Sequence, residues 1–496
     1  MTRVEIAIVG AGFAGLGMAM ALRRAGRDDF VVLERADSVG GTWRDNTYPG
    51  VACDVPSHLY GFAAYPNPNW SGTFARGEEI RDYLEDVARR EQLGDRLRLQ
   101  TPLISADWDA EESAWRIRTG GAGGADVILA DALVLACGRL TEPEIPDIAG
   151  LETFPGPLFH SARWDHDADL TGLRVAVVGT GASAVQLVPE LAALAAQVTL
   201  FQRTPAWIVP RDAHAFTPDD RRRFAEHPDE LARLRAELLD EGEARFASRS
   251  GDAAASAAAR TIALDHLRAQ VPDPALRAVL TPDYAFGCKR VLLSDEFYPA
   301  LSGERVRLVA SALASVDGNT LIAADGTVHE VDAVVLATGF ASTRQPYAQL
   351  VRGEDGQSLD EHWSNGMTSF GSTVVAGFPN LFVLNGPNAS LGHNSSVLMI
   401  EEQADYVVES LSRRHARGVL RVSPEAERAY TAEIAAAAEH TPWLTGGCRN
   451  WYVDERSGRL TLLWPGTVDA FRRRLSRADG SEFLPAAAED ARTGAA

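Results

Sequence analysis

The sequence predicts an α/β protein with two Rossmann-like dinucleotide-binding domains and a helical insertion. An apolar run, a glycine-rich turn and a helix-forming stretch follow one another near residue 10 and again near residue 179. Residues 211–283 are instead rich in Ala, Arg and Glu, with no strand-like run, which predicts helices inserted in the second unit. Two strand–glycine–helix units in one chain indicate dinucleotide binding far more strongly than one.

The first unit begins with a strand predicted over residues 4–9, which the turn of residues 10–15 follows; a helix is then predicted over 16–24. Backbone N–H groups in such a turn bind a pyrophosphate at the helix N-terminus. The next strand, 30–33, leads to Glu34, whose carboxylate would accept from a ribose 2′-hydroxyl and repel a 2′-phosphate. This unit is therefore predicted to bind FAD or NAD through Gly10, Gly12, Phe13, Gly15 and Glu34.

The second unit has the same order and a different ending. Strands are predicted over 174–178 and 198–201, with a helix over 185–195 between them. Arg203 and Thr204 then stand where the acidic residue would be, and a guanidinium with a hydroxyl suits a 2′-phosphate, hence NADPH. The residues predicted to contact NADP(H) in this unit are Gly179, Thr180, Gly181, Ala182, Ser183, Ala184, Gln186, Arg203 and Thr204.

One acidic and one basic ribose-binding residue imply two different nucleotides, FAD held permanently and NADPH visiting. The pair is typical of an electron-transfer enzyme in which the flavin supplies the chemistry.

Composition excludes several other classes. The 496 residues are 46% hydrophobic and carry 48 basic and 68 acidic side chains, a net charge of −20. A chain this acidic is a poor general binder of nucleic acid or of an anionic membrane. No apolar run approaches the ~20 residues of a membrane helix, and the first one leads directly into a glycine turn instead of a cleavage site. We therefore expect a cytoplasmic protein whose partners are small molecules.

The four cysteines, Cys53, Cys137, Cys288 and Cys448, are far apart and include no CxxC pair. This spacing argues against a disulfide scaffold, a dithiol redox centre and a cysteine-rich zinc site. The 11 histidines are scattered, so no metal site is predicted. By elimination, dioxygen is the expected acceptor of the flavin's electrons.

A segment between the two units carries the pattern Phe154-x-Gly156-x3-His160-x3-Trp164-Asp165. It resembles the fingerprint of the type I Baeyer–Villiger monooxygenases, flavoenzymes that insert oxygen beside a ketone. The segment from Gly40 to Asp54, with Trp43 within it, and the run of residues 287–290, which ends in Lys-Arg, also resemble family patterns. The resemblance extends from residue 4 to about 470. The stretch 386–394 departs from the best-known cyclic-ketone enzymes, which leaves the substrate class open.

The resemblance implies an FAD domain split by the NADP domain. We expect the following organisation: FAD domain 1–145, NADP domain 146–211, helical insertion 212–283, NADP domain and return 284–340, FAD domain 341–475. The polar, Ala-rich segment 476–496 is expected to be frayed.

The implied activity is NADPH- and O2-dependent oxidation of a ketone to an ester or lactone through a C4a-peroxyflavin. The peroxide is a nucleophile only as an anion, so a fixed cation is needed near the flavin. Arg290 is the candidate because arginine stays protonated and its fork reaches more than one oxygen. Asp54 is predicted to pair with Arg290 and aim it.

By the same resemblance, Thr42, Trp43 and Tyr60 would surround the flavin, and Leu103 would flank the adenine. Lys289 would face the NADP phosphate, and Trp451 would contact NADP. The hinge or linker residues of the fingerprint are Phe154, Gly156, His160, Trp164 and Asp165; His160 would couple NADP binding to domain motion.

Two alternatives stay open. One is an N- or S-oxygenating flavin-containing monooxygenase on the same scaffold, and a more remote one is a nonenzymatic protein that binds FAD and NADPH. His393 could lie near the flavin or be an ordinary loop histidine. The sequence identifies neither the ketone nor the oligomeric state.

Overall fold

The computed structural model describes residues 2–121 and 124–485, and its larger sheet is mixed. Thr2–Val9 is central and parallel to both neighbours, so the first glycine turn begins in the middle of the carboxyl edge. In spatial order the strands are Val351–Arg352, Leu103–Asp109, Ala114–Thr119, Asp126–Leu135, Thr2–Val9, Phe30–Leu33 and Leu97–Arg98, with Leu381–Val383 also paired to Asp126–Leu135.

The second large sheet is parallel throughout the described residues. Its strands, in spatial order, are Val306–Val309, Gln197–Phe201, Arg174–Val178, Ala333–Leu336 and Leu158–His160. The first sheet takes strands from residues 2–135 and 351–383, and the second takes its strands from the chain between them. The predicted fold class is confirmed, whereas the domain boundaries stay predictions.

Smaller sheets and the helices complete the fold. Ile208–Val209 pairs with Leu292–Leu293 in parallel, and a meander is formed by Leu313–Asp317, Thr320–Ala323 and Val328–Glu330. Short 3-10 segments are Gly94–Arg96, Leu151–Thr153, Ser161–Arg163 and Pro346–Leu350. The α-helices are Phe13–Arg24, Thr42–Asp45, Gly77–Arg90, Ala182–Leu194, Pro218–Glu226, Pro228–Ala244, Ala247–Ser250, Ala253–Gln270, Pro274–Leu280, Phe297–Ser302, Leu359–His362, Ser396–Arg417, Pro424–Ala438, Pro442–Thr445 and Val468–Ser476.

Both nucleotide-unit helices begin three residues earlier than predicted, directly after the second glycine of each turn. Gly12 and Gly181 are the N-cap residues, and neither helix has a side-chain cap. The first N–H groups of each helix therefore have no partner from a capping side chain, which is the arrangement that suits an anion.

The first unit's helix is buried because it is apolar on every side. All residues from Phe13 to Leu22 are buried, and the helix packs against Ser396–Arg417. The latter helix extends beyond the predicted end at Ser410 and stops at Gly418, which has a positive φ of 76°. The core of the first sheet thus joins residues from both ends of the chain.

The stretch between residues 211 and 283 is helical, as predicted. The expectation of a frayed tail from residue 476 is wrong for the part described. Phe483 pairs with Val422 and is buried, and Glu482 accepts a hydrogen bond from Tyr406 Oη at 2.9 Å. These apolar and polar contacts hold residues 476–485 on the core, while 486–496 lie outside the described residues.

Within the described part of the chain, no helix has both the length and the apolar character that crossing a membrane requires.

Candidate active site

The first glycine turn is tightly packed. A Cβ at Gly15 would lie 1.9 Å from the carbonyl oxygen of Gly10, and one at Gly10 would lie 2.5 Å from that of Ala136. Gly12 abuts Gly41, whose Cα would be 3.6 Å from a Cβ at Gly12. The turn can therefore bring its backbone close to a phosphate only because these side chains are absent.

Glu34 is buried at the end of its strand, beside this turn. Its carboxylate accepts from the backbone N–H groups of Ala11 and Ala36, each at 2.9 Å, and pairs with Arg44 at 3.1 Å. The Glu34 carbonyl also accepts from Thr101 N at 2.8 Å, which places the strand that begins at Leu103 nearby. The carboxylate is thus fixed where the predicted ribose would lie.

Aromatic residues predicted to contact the flavin come together next to the turn. The Tyr60 ring lies 5.0 Å from that of Phe13 and 5.6 Å from that of Trp43. Trp43 Nε1 donates to Tyr60 Oη at 3.2 Å, and Thr42 begins the short helix that carries Trp43. These contacts form one aromatic cluster beside the turn.

The second glycine turn is as tight at its first position, where a Cβ at Gly179 would lie 2.4 Å from Ala337 O, but it is more open at its second and third positions. No atom lies within 4 Å of a Cβ built at Gly181, and the third motif position holds Ala184, which is fully buried without conflict. A nearby cavity of about 550 Å³ is lined by Arg203, Thr204 and Lys289, three of the residues predicted to contact NADP. Burial and the neighbouring Arg203 lower the pKa of Lys289. A basic cavity at the end of this unit's second strand fits a 2′-phosphate.

Other residues of the second unit have structural contacts. Thr180 Oγ1 donates to Thr204 O at 2.8 Å, tying the turn to the strand end. Gln186 accepts from Tyr48 Oη at 2.9 Å and donates to Ala52 O at 2.9 Å. Because its amide joins this unit to the segment before Asp54, its role in cofactor binding stays a prediction. Ala182 and Ser183 form the first turn of the helix.

Arg290 and Asp54, 236 residues apart, form a bidentate ion pair. Arg290 Nη2 lies 2.7 Å from both Asp54 carboxylate oxygens, and Nε donates to Oδ2 at 2.9 Å. Asp54 raises the pKa of Arg290, which keeps the guanidinium charged. Their side chains are 30% and 23% exposed, so the pair is desolvated in part and still open to a ligand. A fixed cation in a partly desolvated site is the geometry that stabilises an oxyanion.

A disulfide joins Cys288 to Cys448, which the argument against a disulfide scaffold did not anticipate. The two residues are 160 positions apart, and their meeting depends on tertiary folding, which spacing along the chain does not reveal. Cys288 directly precedes Lys289 and Arg290, whereas Gly447, Cys448 and Arg449 line the basic cavity. The bond therefore ties the segment of the catalytic candidate to the opposite side of that cavity.

The fingerprint residues pack at the edge of the second sheet. Gly156 is obligatory, since a Cβ there would lie 2.2 Å from Asp332 O. His160 ends its strand, is buried and accepts from Ala162 N at 3.1 Å, and burial lowers its pKa to about 4. Trp164 stacks edge-on with Phe159 at 5.0 Å, and Asp165 accepts from Asp167 N.

Phe154 is also buried, in the apolar cluster on that sheet. None of these fingerprint contacts distinguishes a hinge from a static joint, so the conformational role stays a prediction.

Trp451 does not line the basic cavity, although residues 447–449 of its loop do. Its ring packs against Tyr452 at 4.5 Å. His393 is buried between the insertion and the C-terminal part, 3.4 Å from Glu243 and 5.0 Å from the Phe246 ring, and burial lowers its pKa.

Sequence reasoning missed Arg139, Arg249 and the Tyr452 hydroxyl, all of which lie near Arg290. A glycine precedes Arg139 at a strand exit, but no local pattern marks the other two.

Two dinucleotide folds, one with an acidic and one with a basic strand end, together with the fixed and partly exposed cation of Arg290, define a two-nucleotide flavin-dependent monooxygenase. The family model of the flavin-binding monooxygenase-like proteins matches residues 3–225.

The chain is 47% identical to a Baeyer–Villiger monooxygenase of Streptomyces coelicolor over 483 residues. This alignment covers 97% of the present chain and 92% of the relative. It is 40% identical to a Baeyer–Villiger monooxygenase of Pseudomonas aeruginosa, over 97% of this chain and 91% of the relative. The structure of cyclohexanone monooxygenase from Rhodococcus sp. Phi1 bound to NADP+ matches with a TM-score of 0.87 at 26% identity, covering 98% of this chain and 100% of the other. The protein belongs to the Baeyer–Villiger monooxygenase family.

Proposed function

We propose that this enzyme binds FAD at the first glycine turn and NADPH at the second, and converts a ketone into an ester or lactone. The reaction balances as ketone, O2, NADPH and a proton giving ester, NADP+ and water. When bound, the flavin accepts a hydride from NADPH and activates dioxygen.

The tight first turn and buried Glu34 support FAD at that place. The cavity lined by Arg203, Thr204 and Lys289 supports NADPH at the second, since guanidinium and ammonium groups bind a 2′-phosphate.

The observation that carries this proposal is the ion pair of Arg290 with Asp54. Arg290 stabilises negative charge on oxygen during attack on the carbonyl, because its guanidinium stays protonated and is held along one edge, through Nε and Nη2, by the Asp54 carboxylate. Asp54 is a positioning residue that orients Arg290. Amine and sulfide oxygenation needs a protonated, electrophilic oxidant and would gain nothing from such a cation.

The test compares Arg290→Ala and Arg290→Lys with wild type, with NADPH, air, cyclohexanone and thioanisole present. Mass spectrometry should find a lactone from wild type. The rate of lactone formation by Arg290→Ala should be at least about 100-fold lower, as for loss of an oxyanion donor. Bound FAD is the folding control.

Thioether oxidation that survives in Arg290→Ala while lactone formation stops would support the assigned role. Sulfoxide as the sole wild-type product, with cyclohexanone unchanged, would contradict the proposed reaction and favour S-oxygenation.

A further inference from the structure

Beside the Arg290–Asp54 pair, two more arginines lie within the fold without a carboxylate partner in the described part of the chain. Arg249 belongs to the short helix Ala247–Ser250 of the insertion and is only 9% exposed. Arg139 follows the strand Asp126–Leu135, at the carboxyl edge of the first sheet. Buried cations are normally paired because desolvation disfavours their charge.

Arg249 packs directly on the Arg290 segment. A Cβ built at Gly287 would lie 3.3 Å from Arg249 Cα and 3.5 Å from its Cγ. Within the described residues its guanidinium makes one long hydrogen bond, from Nη1 to Arg245 O at 3.5 Å, and its Nε is buried without a partner. This guanidinium therefore keeps a donor that a ligand could use.

Arg139 is partly satisfied by neutral groups. Nη1 donates to Asn385 Oδ1 and Nη2 approaches Ser396 Oγ at 3.5 Å, while Nε is buried without a partner. Burial, with the charge of Arg290, lowers the pKa of Arg139 to about 10. Burial, with the charges of Arg245 and then Arg290, lowers the pKa of Arg249 to about 10 as well. Both side chains therefore stay charged at neutral pH.

The charges of this cluster do not balance. Arg139, Arg249 and Arg290 contribute three positive charges and Asp54 one negative charge. Arg245, which also faces Arg249, is paired with Glu241 at 3.5 Å. Tyr452 is buried with a hydroxyl that has no partner among the described residues, and burial raises its pKa, so it is neutral. The net positive charge of these groups favours an anionic ligand.

The cofactor phosphates have donors elsewhere. The pyrophosphate expected at the first glycine turn would be bound by backbone N–H groups there. The basic cavity with Arg203 and Lys289 does not include Arg249 among its lining residues. A single buried guanidinium fork matches the two oxygens of a carboxylate in a bidentate pair.

We propose that the preferred ketone carries a carboxylate, which Arg249 binds beside Arg290 with Arg139 adding positive potential. This inference rests on the proposed ketone oxidation and specifies its substrate class as oxo acids.

The test uses the FAD-loaded enzyme with NADPH, air and two matched substrates, 3-oxocyclohexanecarboxylate and its methyl ester. For wild type we expect kcat/KM to be about 30-fold higher for the acid, as for a charged hydrogen-bonded pair. Arg249→Leu should remove this preference through KM and leave the ester within about threefold of wild type. Arg249→Lys should retain part of it.

Arg268→Leu is the matched control, since Arg268 is an exposed arginine of the same insertion, paired with Asp265; it should keep the full preference. The melting temperature provides an independent readout. Removing an unpaired buried charge should leave the melting temperature of Arg249→Leu equal or higher, whereas a structural role would lower it.

Equal kcat/KM for acid and ester in wild type, or equal loss of both in Arg249→Leu, would overturn the proposal. A tenfold weaker Kd for NADP+ in Arg249→Leu with the preference intact would assign Arg249 to the nucleotide and also overturn it. Calorimetric titration with cyclohexanecarboxylate tests the anion site separately from the oxidation reaction. Arg249-dependent binding without oxygenation of either ketone would refute the proposed reaction and retain the anion site.

Discussion

The two glycine turns have the same backbone order and differ in how closely they are packed. At the third motif position Gly15 tolerates no Cβ, which would meet Gly10 O at 1.9 Å, whereas Ala184 fits its place fully buried. At the second position Gly12 abuts Gly41, but Gly181 has free space around it.

The strand ends differ in the same way. Glu34 is buried and held by two backbone N–H groups, while Arg203 is exposed at the rim of a cavity. A closed turn with a fixed acid suits a nucleotide that stays, and a turn that ends at an exposed arginine suits one that exchanges. From this difference we expect the packing around each turn to affect how long its nucleotide stays bound, as well as which nucleotide binds.

The largest effect is expected when the residue at the third motif position is exchanged in either turn. Gly15→Ala should cost at least about 3 kcal/mol and abolish FAD binding, because its methyl overlaps a carbonyl oxygen that the sheet fixes. Ala184→Gly should cost only about 1 kcal/mol, the helix-propensity difference. Flavin absorbance and melting temperature check both, and FAD retained at full occupancy by Gly15→Ala would contradict this account.

The next largest effect is expected at the disulfide, which lies beside the basic cavity of the second unit. Cys288→Ser should lower the free energy of unfolding by about 3 kcal/mol, because the unfolded chain regains freedom. Cys448→Ser should have the same effect, and the double variant no more, while bound FAD stays unchanged.

Denaturation with and without reductant measures this effect. Cys137→Ser is the control, since Cys137 is free and its variant should keep the reductant dependence of wild type. Additive losses in the double serine variant would show that each thiol acts separately.

Nucleotide preference tests the strand ends themselves. Arg203→Ala should lower kcat/KM for NADPH by about 30-fold and for NADH by less than about threefold, because only NADPH loses a charged contact. Lys289→Ala should also lower the ratio of kcat/KM for NADPH to that for NADH. Calorimetry with NADP+ gives a readout independent of turnover. Equal losses with both nucleotides would place Arg203 outside the 2′-phosphate site.

The smallest expected effect concerns a buried histidine on each side, His58 near the first unit and His160 in the second sheet. Burial lowers each pKa to about 4. Because the unfolded chain takes up the protons near pH 6.5, stability is lost as pH falls from 6.5 towards 4, by about 1 kcal/mol per histidine at pH 5.5.

His58→Phe should remove its share of that slope, since both ring nitrogens lack partners and the ring already packs against Phe216 and Phe224. Urea denaturation at pH 7.5 and 5.5 measures the slope. A slope identical to wild type in His58→Phe would assign the acid sensitivity to other groups.

Much of the fold could be predicted because its signals are local. The strand predicted over 30–33 is observed with those ends, and Arg174–Val178 likewise. The helix starts were placed three residues late, since a helix that begins on a glycine has no capping side chain to mark it. The tail from residue 476 was mistaken for frayed because its few anchors, such as Phe483, are outnumbered by polar residues.

Sequence alone determined the two nucleotide units and the opposite charges that end their second strands, because each depends on residues within one strand, turn and helix. Tertiary structure decided which distant groups meet: Asp54 with Arg290 across 236 residues, and Cys288 with Cys448 across 160. It also decided that Arg249, a residue of a polar helical insertion, is buried against the Arg290 segment without a counter-charge. Burial and charge balance are properties of the whole packed molecule, so a local pattern carries no record of them.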